Sequence, residues 1–284
     1  MYDSQDILKQ ITGLARSDER IVAVLLNGSR ADPDNPVDEY SDFDIVYIVT
    51  SLQDFTDNRD WLTGFGEPLI MQLPDQMILP KTAPSKSFAF LVLYKNGCRI
   101  DFTLYPYSGL SDFKPGSCSL VLLDKKNLFA GIDAASNKDH IIRRPTEKEF
   151  RDCCNEFWWV STYVAKGLLR NEIPYAKYMM DSPVRDMFMQ LLKWYTGTIT
   201  QFSVPFGKQG RFARKYVGEE LWNKILDTYT DALPANCWAG LLSMAGLFAQ
   251  LAPAVAHTLG FGYDPSEAVA VLGYLQEKQN QQAG

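Results

Sequence analysis

Apolar residues in the first half of the chain follow two alternating spacings. Residues 4–16, "SQDILKQITGLAR", set Ile7, Leu8, Ile11 and Leu14 on one helical stripe. "RIVAVLLNG" (20–28) and "DFDIVYIVT" (42–50) are β-branched-rich runs of strand length, and "EPLIMQL" (67–73) is a weaker third. "SFAFLVLYKNGCRIDFTLYPY" (87–107) predicts a hairpin turning at Asn96-Gly97, and "SLVLLD" (119–124) a further strand. Beyond Pro145 the spacing becomes helical throughout. Thr146 followed by Glu149 is a capping-box sequence that opens a long helix, which Pro174 breaks. Further helical stretches fall at 175–200, 218–230, 236–258 and 265–281, separated by Gly- and Pro-containing links. The pattern predicts an α+β chain with a boundary near residue 145. A mixed β-sheet with flanking helices spans 1–144, and an α-helical bundle spans 145–284.

Composition narrows the class. With 284 residues, 46% of them hydrophobic, the chain can bury a substantial core. The 28 basic and 34 acidic residues give a net charge of −6, which argues against a general nucleic-acid binder and suits a cationic small ligand. Cys98, Cys118, Cys153, Cys154 and Cys237 are odd in number and form no CxxC pair, as expected of reduced thiols. The first residues lack a secretory leader, and no apolar stretch is expected to reach the roughly 20 residues that span a bilayer. A cytoplasmic location is the expectation.

Candidate chemistry gathers between residues 25 and 49. Asp42 and Asp44 alternate along a strand, so both point one way while Phe43 packs behind them. Two adjacent carboxylates repel unless a cation lies between them, and Mg2+ takes oxygen ligands of this kind while leaving room for phosphates. Gly28 and Ser29 offer a turn whose N–H groups and hydroxyl can meet phosphate oxygens, with Arg30 as a positive fork beside them. Asp101 stands in the otherwise apolar "CRIDFTLY" and needs a partner or a metal, unless Arg99 or Arg143 satisfies it in a structural pair. Each feature alone has an ordinary reading: a turn, a solvated strand edge, an ion pair. Together they meet the separate requirements of metal-assisted attack on a nucleotide phosphate, with Asp42, Asp44 and Asp101 as the metal-binding and catalytic set.

"NGSR…SDFDIVYIV" with "RIDFTL" resembles the nucleotidyltransferase superfamily of DNA polymerase beta. "LDKKNLF", "RRPTEKEFRDCCNEFWWVSTYVAKGLLRNEI" and "KYVGEELW" extend the resemblance to the aminoglycoside 6-adenylyltransferases over nearly the whole chain. One departure is "FSVPFGKQGRFARKYV", where Pro205-Phe206 interrupts a loop expected to be shorter. The resemblance implies Mg2+-dependent transfer of AMP from ATP to a hydroxyl of streptomycin, conferring antibiotic resistance. It gives Asp101 a mixed role as metal ligand and as the group that orients or deprotonates the acceptor. Lys166 and Lys208 become candidates for the triphosphate, and Glu156, Glu172 and Asp181 for the cationic groups of the drug. Trp158 and Trp159 are expected in the core or as a wall, one of them able to stack on a sugar or base. The implied partners are ATP and the aminoglycoside, without nucleic acid or membrane, for a monomer or weak homodimer. Rival readings are a transferase acting on another aminoglycoside, on RNA or on protein, and a non-catalytic nucleotide sensor.

Overall fold

The computed structural model describes residues 3–35, 37–79 and 85–283. Two compact units divide the chain, Met1–Asp139 and His140–Gly284. The division lies a few residues ahead of the boundary expected from the change in spacing.

In the first unit, helix α1 (Ser4–Ser17) is capped by Asp3, whose carboxylate accepts from the Gln5 N–H, and it buries Ile7, Ile11 and Ala15. The described strands are β1 (Ile21–Asn27), β2 (Phe43–Val49), β3 (Pro68–Gln72), β4 (Phe88–Tyr94), β5 (Arg99–Pro106) and β6 (Ser119–Asp124), with a short helix α2 (Gln53–Asp57) between β2 and β3. They form one mixed sheet in the order β3-β4-β5-β2-β1-β6. β2 and β5 pair in parallel, and every other neighbouring pair is antiparallel. The hairpin turns at Asn96-Gly97, with Gly97 at φ 85°.

Alternation along β2 separates two cores. Ile45, Tyr47 and Val49 join the larger cluster with Ile7, Ile11 and Phe102, while Val46 and Ile48 join a smaller one with Leu25 and Phe113. Burying each such aliphatic or aromatic side chain contributes roughly 1.5–3 kcal/mol. The Tyr47 hydroxyl also donates to the Ile11 carbonyl at 3.0 Å, tying α1 to the sheet. By the same parity, Asp44 and Asp101 emerge on the face of the smaller cluster.

In the second unit, α3 (Glu147–Leu169) begins at the expected capping box: the Thr146 hydroxyl accepts from the Glu149 N–H, and the Glu149 carboxylate accepts from the Thr146 N–H. Phe150, Phe157, Val164 and Leu168 lie on its buried stripe, and Phe157 stacks on Phe248 with centroids 3.8 Å apart. α4 (Ile173–Met179) follows with Pro174 in its first turn. The run expected as one helix over 175–200 is instead α4, a π-helical turn over Met180–Val184, and α5 (Arg185–Ile199). Pro183 explains the interruption, because it lacks an N–H and clashes with the preceding turn; the wider π turn absorbs both. α6 (Arg214–Val217), α7 (Glu219–Leu226), α8 (Pro234–Leu259) and α9 (Ser266–Ala283) complete the unit.

The expectation about apolar length is corrected by α8. It is 26 residues long with a window of mean hydropathy 1.6, enough by length and composition to cross a membrane. More than half of that window is buried inside the bundle, where Leu241, Met244, Phe248 and Val255 pack in the core. Its apolarity is that of a central core helix. The unexpected Pro205-Phe206 is also anchored: Pro205 bridges to Ile141, and Phe206 is buried in the same core. All five cysteines are free and buried.

Candidate active site

Strand direction builds the site. β1 runs antiparallel to β2, so its last residue, Asn27, lies opposite Asp44. β5 runs parallel to β2, so its beginning lies beside the beginning of β2, with Phe43 opposite Ile100 and Asp44 opposite Asp101. The end of β1 and the starts of β2 and β5 thus meet at one end of the sheet. Residues separated by more than fifty positions in sequence become cross-strand neighbours there.

Gly28 follows β1 at φ +70° and opens a single 3-10 turn, Gly28–Arg30. A Cβ at this position would fall 2.2 Å from Asp44 Oδ2, so only glycine lets the turn close over that carboxylate. The Gly28 N–H donates to the Cys118 carbonyl at 3.2 Å. Ser29 is half-buried in the same turn, and its carbonyl accepts from the Asn35 amide.

Arg30 is engaged by the loop that leads into β2. Its Nε donates to the Ser41 and Asp42 carbonyls, both at 3.1 Å, and its Nη2 to the Ser41 carbonyl at 2.7 Å. Nη1 donates to the Ser4 hydroxyl, and the guanidinium lies 3.8 Å from the centre of the Phe43 ring. Arg30 is a clamp on the backbone that presents Asp42. A planar five-donor group suits this work because it can span several carbonyls at once.

The three acids differ in their surroundings. Burial, followed by the neighbouring Asp101 and Asp42 carboxylates, pushes Asp44 up to about 6. Burial also raises Asp42, while Arg99 draws it back down. Asp101 is held by both oxygens: Arg99 Nε donates to Oδ1 at 2.9 Å and Nη2 to Oδ2 at 2.7 Å. Arg99 Nη1 also lies 3.4 Å from Asp42 Oδ2. Of the two basic partners weighed for Asp101 from sequence, Arg99 is the one present; Arg143 pairs with Glu149. Arg99 entered the sequence reading only as a structural partner. The signal for more was there, since positions 99 and 101 share a strand face.

Carboxylate oxygens that repel one another are the hard donors a divalent cation such as Mg2+ takes. Among the described residues, however, no three His, Cys, Asp or Glu side chains converge on one point. Asp101 faces Arg99.

The remaining candidates lie in the second unit, two of them on α3 and the others on three further segments. Lys166 is exposed on α3 with its ammonium 4.8 Å above the Tyr163 ring, and Lys208 is exposed in a 3-10 turn over Lys208–Gly210. Glu156 is exposed ten positions before Lys166, about 15 Å along the helix axis. Glu172 is exposed just ahead of α4, and Asp181, in the π turn, pairs with Lys177 at 2.9 Å. Among the tryptophans, Trp158 is core and Trp159 is 60% exposed, its indole N–H donating to the Tyr163 hydroxyl. Trp159, Tyr163 and Lys166 therefore form an aromatic and basic face on α3. A separate cavity of about 600 Å³ lies between α3 and the start of α9, lined by Phe150, Arg151, Trp158, Tyr263 and Glu267 among others. Neither lysine and none of the three acids borders it.

Comparison with known proteins shows the family of the chain. A family model described as streptomycin adenylyltransferase matches residues 1–278. An aminoglycoside 6-adenylyltransferase of Bacillus subtilis (strain 168) is 34% identical over 265 residues, 93% of each chain. One from Campylobacter jejuni is 36% identical over 265 residues, 93% of this chain and 91% of its own. A third, from Staphylococcus aureus, is 32% identical over 231 residues, 81% of this chain and 82% of its own. The crystal structure of an aminoglycoside 6-adenyltransferase from Bacillus subtilis aligns over 98% of this chain and 99% of its own, with 30% identity and a TM-score of 0.48.

Proposed function

Because the chain belongs to the streptomycin adenylyltransferase family, whose curated relatives are nucleotidyltransferases acting on aminoglycosides, we propose that it transfers AMP from ATP to a hydroxyl of streptomycin. The observation that carries the reading is the register of β2 on β5, which sets Asp44 opposite Asp101 beside the glycine turn. In the reaction the acceptor oxygen attacks the α-phosphorus, the bond to the β-phosphate bridging oxygen breaks, and pyrophosphate leaves. Asp42, Asp44 and Asp101 would hold Mg2+, which when bound supplies charge neutralisation at the phosphates. Ser29 and the N–H groups of its turn bind the departing pyrophosphate, and Arg30 holds the Asp42 backbone in place. Asp101 orients the acceptor hydroxyl or takes its proton. Lys166 and Lys208 are assigned to the triphosphate. Glu156 and Glu172 are assigned to the ammonium or guanidinium groups of the drug, with Asp181 available once Lys177 releases it. Trp159 is the tryptophan exposed enough to stack on a ring.

The five free cysteines accord with a cytoplasmic enzyme, and adenylylation of the drug would make it a resistance enzyme. We assign it as a monomer or weak homodimer. An RNA acceptor is less well supported, because the local basic clusters are partly neutralised by Arg143–Glu149 and Arg214–Glu219. Incubation of the purified protein with ATP, Mg2+ and streptomycin, followed by mass spectrometry, should give the drug plus one AMP and an equivalent of pyrophosphate. Adduct on another aminoglycoside alone would correct the acceptor, and ATP binding without any product across an acceptor panel would favour a nucleotide sensor.

A further inference from the structure

Arg99 connects the acids that the proposed function assigns to the metal. It engages both oxygens of Asp101 and approaches Asp42, while Asp44, facing the same end of the sheet, has no comparable cation contact among the described residues. The pairing follows from strand geometry. Arg99 precedes Asp101 by two residues on β5, and the parallel register that sets Phe43 opposite Ile100 continues outward to align Asp42 with Arg99. The guanidinium therefore occupies the space between the two outer carboxylates. Its own side chain is 45% exposed, so it can leave without opening the core, whereas Asp101 is only 16% exposed and is fixed by its strand.

We propose that Arg99 is a displaceable counter-cation of the acidic site: it neutralises Asp42 and Asp101, competes with a divalent ion for their oxygens, and swings outward when that ion binds. This inference rests on the metal assignment made above. The turning of both Asp101 oxygens to Arg99 agrees with it. A guanidinium and a divalent ion in contact with the same carboxylate repel each other, so each weakens the other's binding by one shared factor. Arg99 is thus a positioning residue whose removal should strengthen metal binding. A residue that merely supported the site would have the opposite effect when removed.

The test is a Mn2+ titration of full-length protein at pH 8 without nucleotide, with free ion read by electron paramagnetic resonance and heat by calorimetry. Wild type, Arg99→Gln, Arg99→Lys and Asp44→Asn are compared. Arg99→Gln should bind Mn2+ about tenfold tighter than wild type, with Arg99→Lys between them. In chelator, Arg99→Gln should unfold at a lower temperature than wild type, and Mn2+ should raise its midpoint by more. Equal or weaker Mn2+ binding by Arg99→Gln overturns the proposal, as does an unchanged midpoint in chelator. Should wild type bind no more Mn2+ than Asp44→Asn, the metal assignment itself falls and this inference with it. Tight binding by wild type with no gain in Arg99→Gln rejects the Arg99 role alone.

Discussion

Asp44 is the carboxylate least matched to its surroundings, shielded from water and flanked by two like charges. Its value of about 6 in the folded protein lies above the ordinary carboxylate value of 3.8. Folding therefore takes up a proton between these limits. The contribution of Asp44 to stability is present below about pH 4 and is lost as pH rises through 6. Asp44→Asn should accordingly abolish turnover and yet raise stability in chelator at pH 8, by on the order of 1 kcal/mol once partial solvent access is discounted. Thermal unfolding measured from pH 8 down to pH 5 should show the gain shrinking. A variant no more stable than wild type at pH 8 would mean that Asp44 is neither shielded from water nor repelled by its neighbours as its position implies.

Between elements, the decisive contact is the turn after β1 closing on the first residues of β2. Gly28→Ala would place a methyl group against Asp44 Oδ2 and hold an L-residue at φ +70°. The backbone term alone costs about 1–2 kcal/mol. Displacing the carboxylate by about 1 Å should lower kcat roughly a hundredfold. Steady-state kinetics beside circular dichroism separates this from unfolding, and full activity would remove the cradle from the account. Much at this level was legible in advance. The strands at 21–27 and 43–49, the Asn96-Gly97 turn and the Thr146 capping box lie where local spacing puts them, because each is decided by neighbours in sequence. The acidic trio was legible as residue types. The role of Arg30 was not, since it depends on carbonyls eleven and twelve residues away that only the folded loop brings near. The grip of Arg99 on Asp42 was equally hidden, because it follows from the one parallel pairing in the sheet. The π turn escaped because the apolar pattern reads through Pro183 without a break.

At the scale of the whole molecule, the chain carries net charge −6, the sign that attracts a polycation such as the proposed acceptor. Raising ionic strength from about 0.01 M to 0.15 M shortens the Debye length from about 30 Å to 8 Å. KM for streptomycin should rise over that range while kcat stays nearly constant, measured with ATP saturating. An unchanged KM would assign drug capture to short-range contacts alone. The parallel partnership of β2 with β5 has a consequence of another kind. The two strands are separated in the chain by all of β3 and β4, so a ribosome must carry synthesis past Pro106 before the acids can meet. A message cut short anywhere before that point yields a chain in which Asp44 never gains Asp101 as its neighbour.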